Sequence, residues 1–159
     1  MKDLILLTTS YPFGVFTEAF LETEIQYLSE RFETIYIIAT KPQALFIRPL
    51  PSNVIVRKLP DNKMIQRSMY IICKSGNSII KDVFYEVLYI IRRTRANRIR
   101  KLKELFKHII KALLIEEYVS GTINLEANNC IIYSYWFNSS ALAASLIKRK
   151  YLGVKAVSR

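Results

Sequence analysis

The feature that most constrains the fold is the order of the first forty or so residues: a short apolar run, a turn, an amphipathic segment and a second apolar run. Residues 4–7 (LILL) are all apolar and polar residues follow them, which is typical of a strand buried on both faces of a sheet. Pro12 and Gly14 then indicate a tight turn, because proline fixes its φ angle and glycine accepts positive φ angles. The second run is residues 35–39 (IYIIA). This order predicts a βαβ unit, in which the first loop and the following helix N-terminus form a natural ligand crevice.

The segment between the two runs is predicted to be a helix capped by Thr17. Glu18 would lie in the first turn of that helix, where negative charge complements the helix dipole. The apolar residues near helical spacing, expected on the inner face, are Phe20, Leu21, Ile25, Leu28 and Phe32.

The rest of the chain continues the alternation of strands and helices. Further strands are predicted at residues 54–56, 130–136 and 154–157, and helical segments at 63–73, 79–91, 99–114 and 141–150, the last capped by residues 138–140. We therefore predict an α/β fold: a Rossmann-like open parallel sheet with helices on both faces, forming one domain over residues 1–159. The chain ends directly after the fifth strand, which we expect to be buried, so we expect a longer parent protein.

Composition narrows the class of partner and of chemistry. The formal net charge of +11 favours an anionic partner, such as nucleic acid, anionic lipid or a phosphorylated substrate. Cys73 and Cys130 are far apart in sequence and have no CxxC pattern, so we interpret them as buried thiols of a cytoplasmic protein. His108 is the single histidine, which excludes a multi-histidine metal centre, and we expect no metal and no cofactor. No apolar run reaches the roughly 18 residues of a membrane span.

Basic residues are concentrated in one span near the middle of the chain, with Glu104 as its only acid. They are Arg92, Arg93, Arg95, Arg98, Arg100, Lys101, Lys103, Lys107 and Lys111. One interpretation is a surface that contacts the anionic cytoplasmic face of a membrane. The other is a solvated helix face whose apolar stripe packs on the sheet, and the two are compatible. Nucleic acid is not the expected partner, because the sequence shows neither an aromatic-interleaved basic platform nor a known DNA-reading pattern.

Two stretches resemble a known family. Residues 9–25 (TSYPFGVFTEAFLETEI) and residues 133–141 (YSYWFNSSA) are similar to the N-terminal domain of GT-B fold glycosyltransferases of the family-four type. The resemblance implies one domain of a two-domain enzyme that transfers a sugar from a nucleotide-sugar donor to a glycan or lipid-linked acceptor. It also implies that a second, C-terminal domain binds the donor, so that this chain forms the acceptor side and is not active alone.

The resemblance places the acceptor cleft at the loop after the first strand and at the end of the fourth. The residues expected to bind substrate or acceptor are Gly14, Val15, Phe16, Thr17, Glu18, Tyr135, Trp136 and Asn138, and none is expected to be catalytic. An ordinary βα turn and aromatic core packing also explain these residues, and both interpretations stay open. The alternative function is a non-catalytic Rossmann-like binding or adaptor module that docks to anionic surfaces. A dinucleotide-binding oxidoreductase is disfavoured because the first turn lacks GxGxxG.

Overall fold

The computed structural model describes residues 2–14, 18–42, 46–60, 77–93, 97–125 and 130–158, with only the backbone described at 77–80 and 82. In chain order the elements are the following: β1 (Leu4–Thr8), α1 (Phe20–Ser29), β2 (Ile35–Ala39), β3 (Val54–Lys58), α2 (Asn77–Arg93), α3 (Arg98–Thr122), β4 (Ile131–Ser134), α4 (Ser139–Lys150) and β5 (Lys155–Ser158). The helix predicted at 63–73 lies outside the described residues.

The five described strands form one sheet in the order β3-β2-β1-β4-β5. Every pairing is parallel, with Leu6 opposite Ile37 of β2 on one side and opposite Tyr133 of β4 on the other. The chain therefore winds outward from β1 in one direction and from β4 in the other. Right-handed crossovers running in opposite directions place their helices on opposite faces of a sheet. The predicted fold class, an α/β protein with a Rossmann-like open parallel sheet flanked by helices, is confirmed.

The core lies on the central strand. All five residues of β1 are buried, as the continuous apolar run predicts. One buried cluster unites strand residues with α1 and the β1 loop: it contains Leu4, Leu6, Tyr11, Leu21, Ile25, Ile35 and Ile37. Burying an aliphatic side chain of this size stabilises a fold by about 1.5–3 kcal/mol. The cluster therefore joins β1 and β2 to α1 and to the loop after β1.

Helix α1 begins later than the sequence predicts. Its N-cap is Ala19, which makes no side-chain capping hydrogen bond, and Glu18 precedes the helix with a positive φ of 52°. The placement of Glu18 in the first helical turn is therefore wrong, and the predicted cap, Thr17, lies outside the described residues. Instead, the Glu18 carboxylate turns back and accepts hydrogen bonds from backbone N–H groups of the loop after β1.

Helix α4 begins at Ser139, two residues before the predicted start at 141, and its N-cap is one of the predicted capping residues. Asn138 is its N-cap, and its side chain accepts a hydrogen bond from the backbone N–H of Ser140. Strand β5 differs from expectation: it is not buried, since Lys155 and Val157 are both exposed. The reason is its place at the edge of the sheet, where it pairs only with β4.

The chain divides into two compact units. One comprises Met1–Pro60 and Ile115–Arg159 and contains the whole sheet, and the other is Asp61–Leu114, inserted between β3 and β4. The boundary falls within α3, whose last two turns belong to the sheet unit. The organisation of residues 1–159 as a single domain stays a prediction.

Candidate functional site at the ends of β1 and β4

The loops after β1 and β4 share one edge of the sheet, because the two strands are parallel neighbours. The chain leaves β1 toward β2 and leaves β4 toward β5, so the winding direction reverses between them. In open α/β sheets this reversal opens a crevice at the carboxyl ends of the strands, and ligands bind there. Both loops that the sequence singled out therefore border the same crevice.

The loop after β1 is fixed by its own hydrogen bonds. Thr8 Oγ1 donates to the carbonyl of Tyr11 over 2.7 Å, and the N–H of Phe13 donates to the carbonyl of Ser10 over 2.8 Å. Gly14 has a φ of +83°, which confirms the predicted need for glycine at this turn. Of the predicted site residues in this loop, Val15, Phe16 and Thr17 lie outside the described part of the chain.

Glu18 is the residue that joins the loops. Its Oε2 accepts hydrogen bonds from the N–H groups of Ser10 and Tyr11, each over 2.8 Å, and its Oε1 accepts one from Thr9 over 3.0 Å. Oε1 also accepts the indole N–H of Trp136 over 2.8 Å. Three successive backbone N–H groups that converge on one point form an anion-binding concavity, and here the protein's own carboxylate occupies it. Because the acceptor is a buried charged group, these bonds belong to the stronger, charge-assisted class.

The sequence did not predict this role for Glu18. From its immediate neighbours alone, the sequence indicates that Glu18 complements the helix dipole. Its fourth hydrogen-bond donor, Trp136, lies 118 positions away in the sequence. The only available signal was the position of Trp136 at the end of a strand, and that signal names no partner. The geometry assigns Glu18 an organising role, in which both carboxylate oxygens are engaged.

A cluster of aromatic rings lies beside this link. Phe20 and Tyr135 stack with their centroids 4.2 Å apart. The Trp136 ring meets both of them edge-on, at 6.4 Å from Phe20 and 5.6 Å from Tyr135. Trp136 remains 45% exposed and Phe137 89% exposed, while Tyr135 is half-buried and also packs on the core. We call Phe20, Tyr135 and Trp136 the aromatic cluster. It offers partly exposed ring surface at the edge of the crevice.

Phe20 is in a different place from the one expected. The sequence put it on the inner stripe of α1, but its side chain is exposed and lies against Tyr135. The reason is the late helix start, which makes Phe20 the first helical residue and turns it toward the loop of β4. Asn138 is brought to the same edge. Its side-chain oxygen caps α4 through Ser140, and the residue as a whole is exposed.

Arg48 belongs to the same edge of the sheet, although nothing in the sequence singles it out. It lies in the proline-rich loop after β2, yet it is buried. Its Nε donates to the carbonyl of Gly14 over 2.7 Å, and its guanidinium lies 5.5 Å from the centre of the Tyr11 ring and 3.7 Å from the Glu22 carboxylate. Burial raises the pKa of the Tyr11 hydroxyl to about 12, with Arg48 lowering and Glu22 raising it. Arg48 thus ties the loop after β2 to the loop after β1.

The basic residues of the middle span are placed on α2 and α3. Arg92, Arg93, Arg98, Arg100, Lys101, Lys103 and Lys107 are exposed, Lys111 is half-buried, and Arg95 lies outside the described residues. Lys107 forms an ion pair with Glu104 at 3.2 Å. Over Asp61–Leu114 the sequence has 13 Lys and Arg against 4 Asp and Glu, so this unit carries +9 of the formal net charge of +11.

The apolar stripes of these helices are buried less than the sequence predicts. On α2 no side chain that the structure describes is buried, and Phe84 and Ile91, both expected to face inward, are exposed. On α3 burial rises along the helix, from 72% exposure at Ile99 to 5% at Ile109. Periodicity identified the apolar faces correctly, but it contains no information on how much of each face another element covers.

The part of the chain that the structure describes contains neither a metal-binding group of side chains nor a membrane-spanning helix. No group of three or more His, Cys, Asp and Glu residues there could hold a metal ion. Cys130 is a buried free thiol, and burial raises its pKa; Cys73 lies outside the described residues. Among the described helices, none combines the length and the apolar character that a membrane crossing needs. In comparisons with known proteins, no protein family, no curated protein and no solved structure matches this chain.

Proposed function

We propose that this chain forms the acceptor side of a glycosyltransferase, which transfers a sugar from a nucleotide-sugar donor to a hydroxyl of a glycan or lipid-linked acceptor. The observation that carries the proposal is the aromatic cluster bound through Glu18 to the loop after β1, at the crevice between β1 and β4. The likeness of residues 9–25 and 133–141 to the family-four glycosyltransferases supports the same assignment.

The chemistry of the cluster suits a carbohydrate. A pyranose ring has apolar C–H faces that pack on aromatic rings and hydroxyl groups that need polar partners. Trp136 and Phe20 present partly exposed rings, and the exposed Asn138 lies two positions after Trp136. The Glu18 carboxylate fixes the indole, so its orientation is set before a ligand arrives. Preorganised rings lose little entropy on binding.

In the proposed transfer the bond between the sugar and the nucleotide diphosphate breaks, and a bond forms between the sugar and the acceptor oxygen, which gives up its proton. The donor, the groups that neutralise the departing diphosphate and the proton acceptor are assigned to a second domain, as the resemblance implies. The residues of this chain would bind and orient the acceptor, and we propose no catalytic residue, metal or cofactor on it.

Trp136 makes the proposal directly testable, because it is the only tryptophan of the chain. Three ligands are titrated separately: a polyprenyl-phosphate-linked sugar, the sugar alone and the lipid phosphate alone. The fluorescence of Trp136 should change with the two ligands that contain the sugar and not with the lipid phosphate. Tyr135→Ala should weaken this binding about fivefold, since a stacked ring contributes on the order of 1 kcal/mol. Tyr27→Ala, at an exposed tyrosine of α1 outside the cluster, is the matched control and should leave it unchanged. Unaltered Trp136 emission across a panel of glycan and lipid-linked acceptors would contradict the proposal.

A second candidate is a non-catalytic Rossmann-like module that docks to anionic surfaces. It is favoured by the concentration of basic residues in Asp61–Leu114, which carries most of the positive net charge of the chain. In both functions we propose that the protein works at the cytoplasmic face of a membrane, where each basic residue near an anionic surface adds about 1 kcal/mol of attraction. Incorporation of labelled sugar into a lipid-linked acceptor by this chain together with a donor-binding domain distinguishes the two, because only the transferase produces it.

A further inference from the structure

We propose that α2 is an interfacial anchor: its exposed aromatic face enters the headgroup region of an anionic bilayer, while the basic residues around it hold the phosphates. This goes beyond docking by charge, because it assigns the contact to apolar side chains on a named helix face. It does not depend on the glycosyltransferase assignment, since either proposed function works at a membrane surface.

The first observation is the exposed apolar surface of α2. Tyr85 and Tyr89 are each 60% exposed, and they lie one helical turn apart on the same side. Phe84 and Ile91, both exposed, share the adjacent side, and the half-buried Leu88 lies between the two pairs. We call Phe84, Tyr85, Leu88, Tyr89 and Ile91 the α2 face. Soluble proteins rarely leave so many large side chains exposed together, and such patches mark interaction surfaces.

The second observation is the position of charge on the same helix. Arg92 and Arg93 are exposed and end α2, next to the α2 face along the helix. Glu86 faces away from Phe84 and Ile91 at 100° per residue, and it lies one turn before Tyr89, where it borders the tyrosine side of the α2 face. An amphipathic helix with aromatic residues on one side and arginines beside them has the composition of helices that lie in the membrane interface. Tyrosine suits that depth because its ring is apolar and its hydroxyl reaches water.

Charge decides between a bilayer and a second copy of this chain. A dimer through the α2 face would bring together two units of formal charge +9, and like charges at an interface oppose association. A bilayer with anionic lipid attracts the same charges. Nucleic acid would also attract them, but its backbone offers no apolar partner for Phe84 and Ile91. The combination of an apolar face with surrounding positive charge fits anionic lipid.

The test measures binding of the whole chain to vesicles of phosphatidylcholine alone and of phosphatidylcholine with phosphatidylglycerol. We expect binding to the anionic vesicles, with a part that survives high salt, because salt screens charge but leaves apolar insertion in place. Tyr85→Ser with Tyr89→Ser should reduce partitioning about tenfold and abolish the salt-resistant part, from the loss of two half-exposed rings. Tyr27→Ser, at an exposed tyrosine of the sheet unit, should bind as the unchanged protein does.

A second variant keeps the test decisive if the serine variants do not fold. In Trp136→Phe with Tyr89→Trp, the single tryptophan reports directly from the α2 face. Its emission should shift to the blue with anionic vesicles and be quenched by lipids brominated near the headgroup. Three outcomes would each overturn the proposal. The emission could stay at the wavelength of the free protein, or binding could vanish entirely at high salt. The third is a concentration-dependent dimer that Tyr85→Ser with Tyr89→Ser abolishes. None of these outcomes bears on sugar binding, which Tyr135→Ala tests separately in the unchanged Trp136 background.

Discussion

Replacement of Glu18 by glutamine keeps the shape of the side chain but leaves one oxygen to serve four donors. The Glu18 carboxylate now binds Ser10 and Tyr11 through Oε2, and Thr9 and Trp136 through Oε1. The glutamine NH₂ group would face one of these pairs. We expect the amide oxygen to remain with Ser10 and Tyr11, whose residues are buried, because Thr9 is half-buried and Trp136 is exposed, so both can turn to water.

The expected cost follows from this orientation. Two charge-assisted hydrogen bonds are lost and two become neutral, and a buried donor without an acceptor costs about 1–3 kcal/mol. Because the N–H groups of Thr9 and Trp136 can form hydrogen bonds to water instead, we expect Glu18→Gln to lower the free energy of unfolding by about 2 kcal/mol. Glu18→Ala removes all four acceptor contacts and should cost about 4 kcal/mol.

Urea denaturation followed by Trp136 fluorescence measures both values. Amide exchange adds the local evidence: the N–H groups of Ser10 and Tyr11 should remain protected in Glu18→Gln and lose protection in Glu18→Ala. Glu30→Gln, at an exposed glutamate beside the end of α1, is the control and should stay within about 0.5 kcal/mol of the unchanged protein. A stability of Glu18→Gln equal to that of the control, together with an unchanged Trp136 emission, would refute the linking role.

Two further predictions concern stability. Burial raises the pKa of Tyr11 from 10.0 to about 12, so between these pH values the unfolded chain releases a proton that the folded state keeps. The free energy of unfolding should therefore be undiminished below pH 10 and fall between pH 10 and about 12. Urea titrations should show this decline and Tyr11→Phe should make it shallower, whereas an identical pH profile in the two proteins would contradict the assignment. Asn138→Ala removes the cap of α4 and should cost about 1 kcal/mol in the same assay, whereas Asn138→Asp should retain most of the stability; equal losses in the two variants would show that the side chain acts in another way.

Hydrogen bonds of two buried charged residues connect the loops at this edge of the sheet. Glu18 connects the N–H groups after β1 to Trp136 after β4, and Arg48 connects Gly14 to the loop after β2. Loops from three neighbouring strands are therefore tied at a single edge of the sheet. A ligand that moves the indole of Trp136 must disturb an acceptor shared with Thr9.

Much of the fold could be predicted because its signals are local. The apolar run of β1 indicates a strand buried on both faces, and the structure buries all five of its residues. The run at 35–39 matches β2 residue for residue, and Asn138 caps α4 as its side chain suggests. Gly14 adopts the positive φ that a tight turn requires. Each of these outcomes depends on a residue and its nearest neighbours, so periodicity and backbone preference were sufficient.

The sequence by itself determined that this chain builds strands and helices in the order typical of an open parallel sheet, with a basic span near the middle of the chain. Only the tertiary structure decided that β5 is an exposed edge, that the α2 face remains uncovered, and that Glu18 leaves the helix to bind Trp136. The physical reason is the distance along the chain over which each effect acts. Propensity and periodicity act over a few residues, whereas the energy of a buried carboxylate, or of an apolar face, is set by groups that the fold brings from far along the chain.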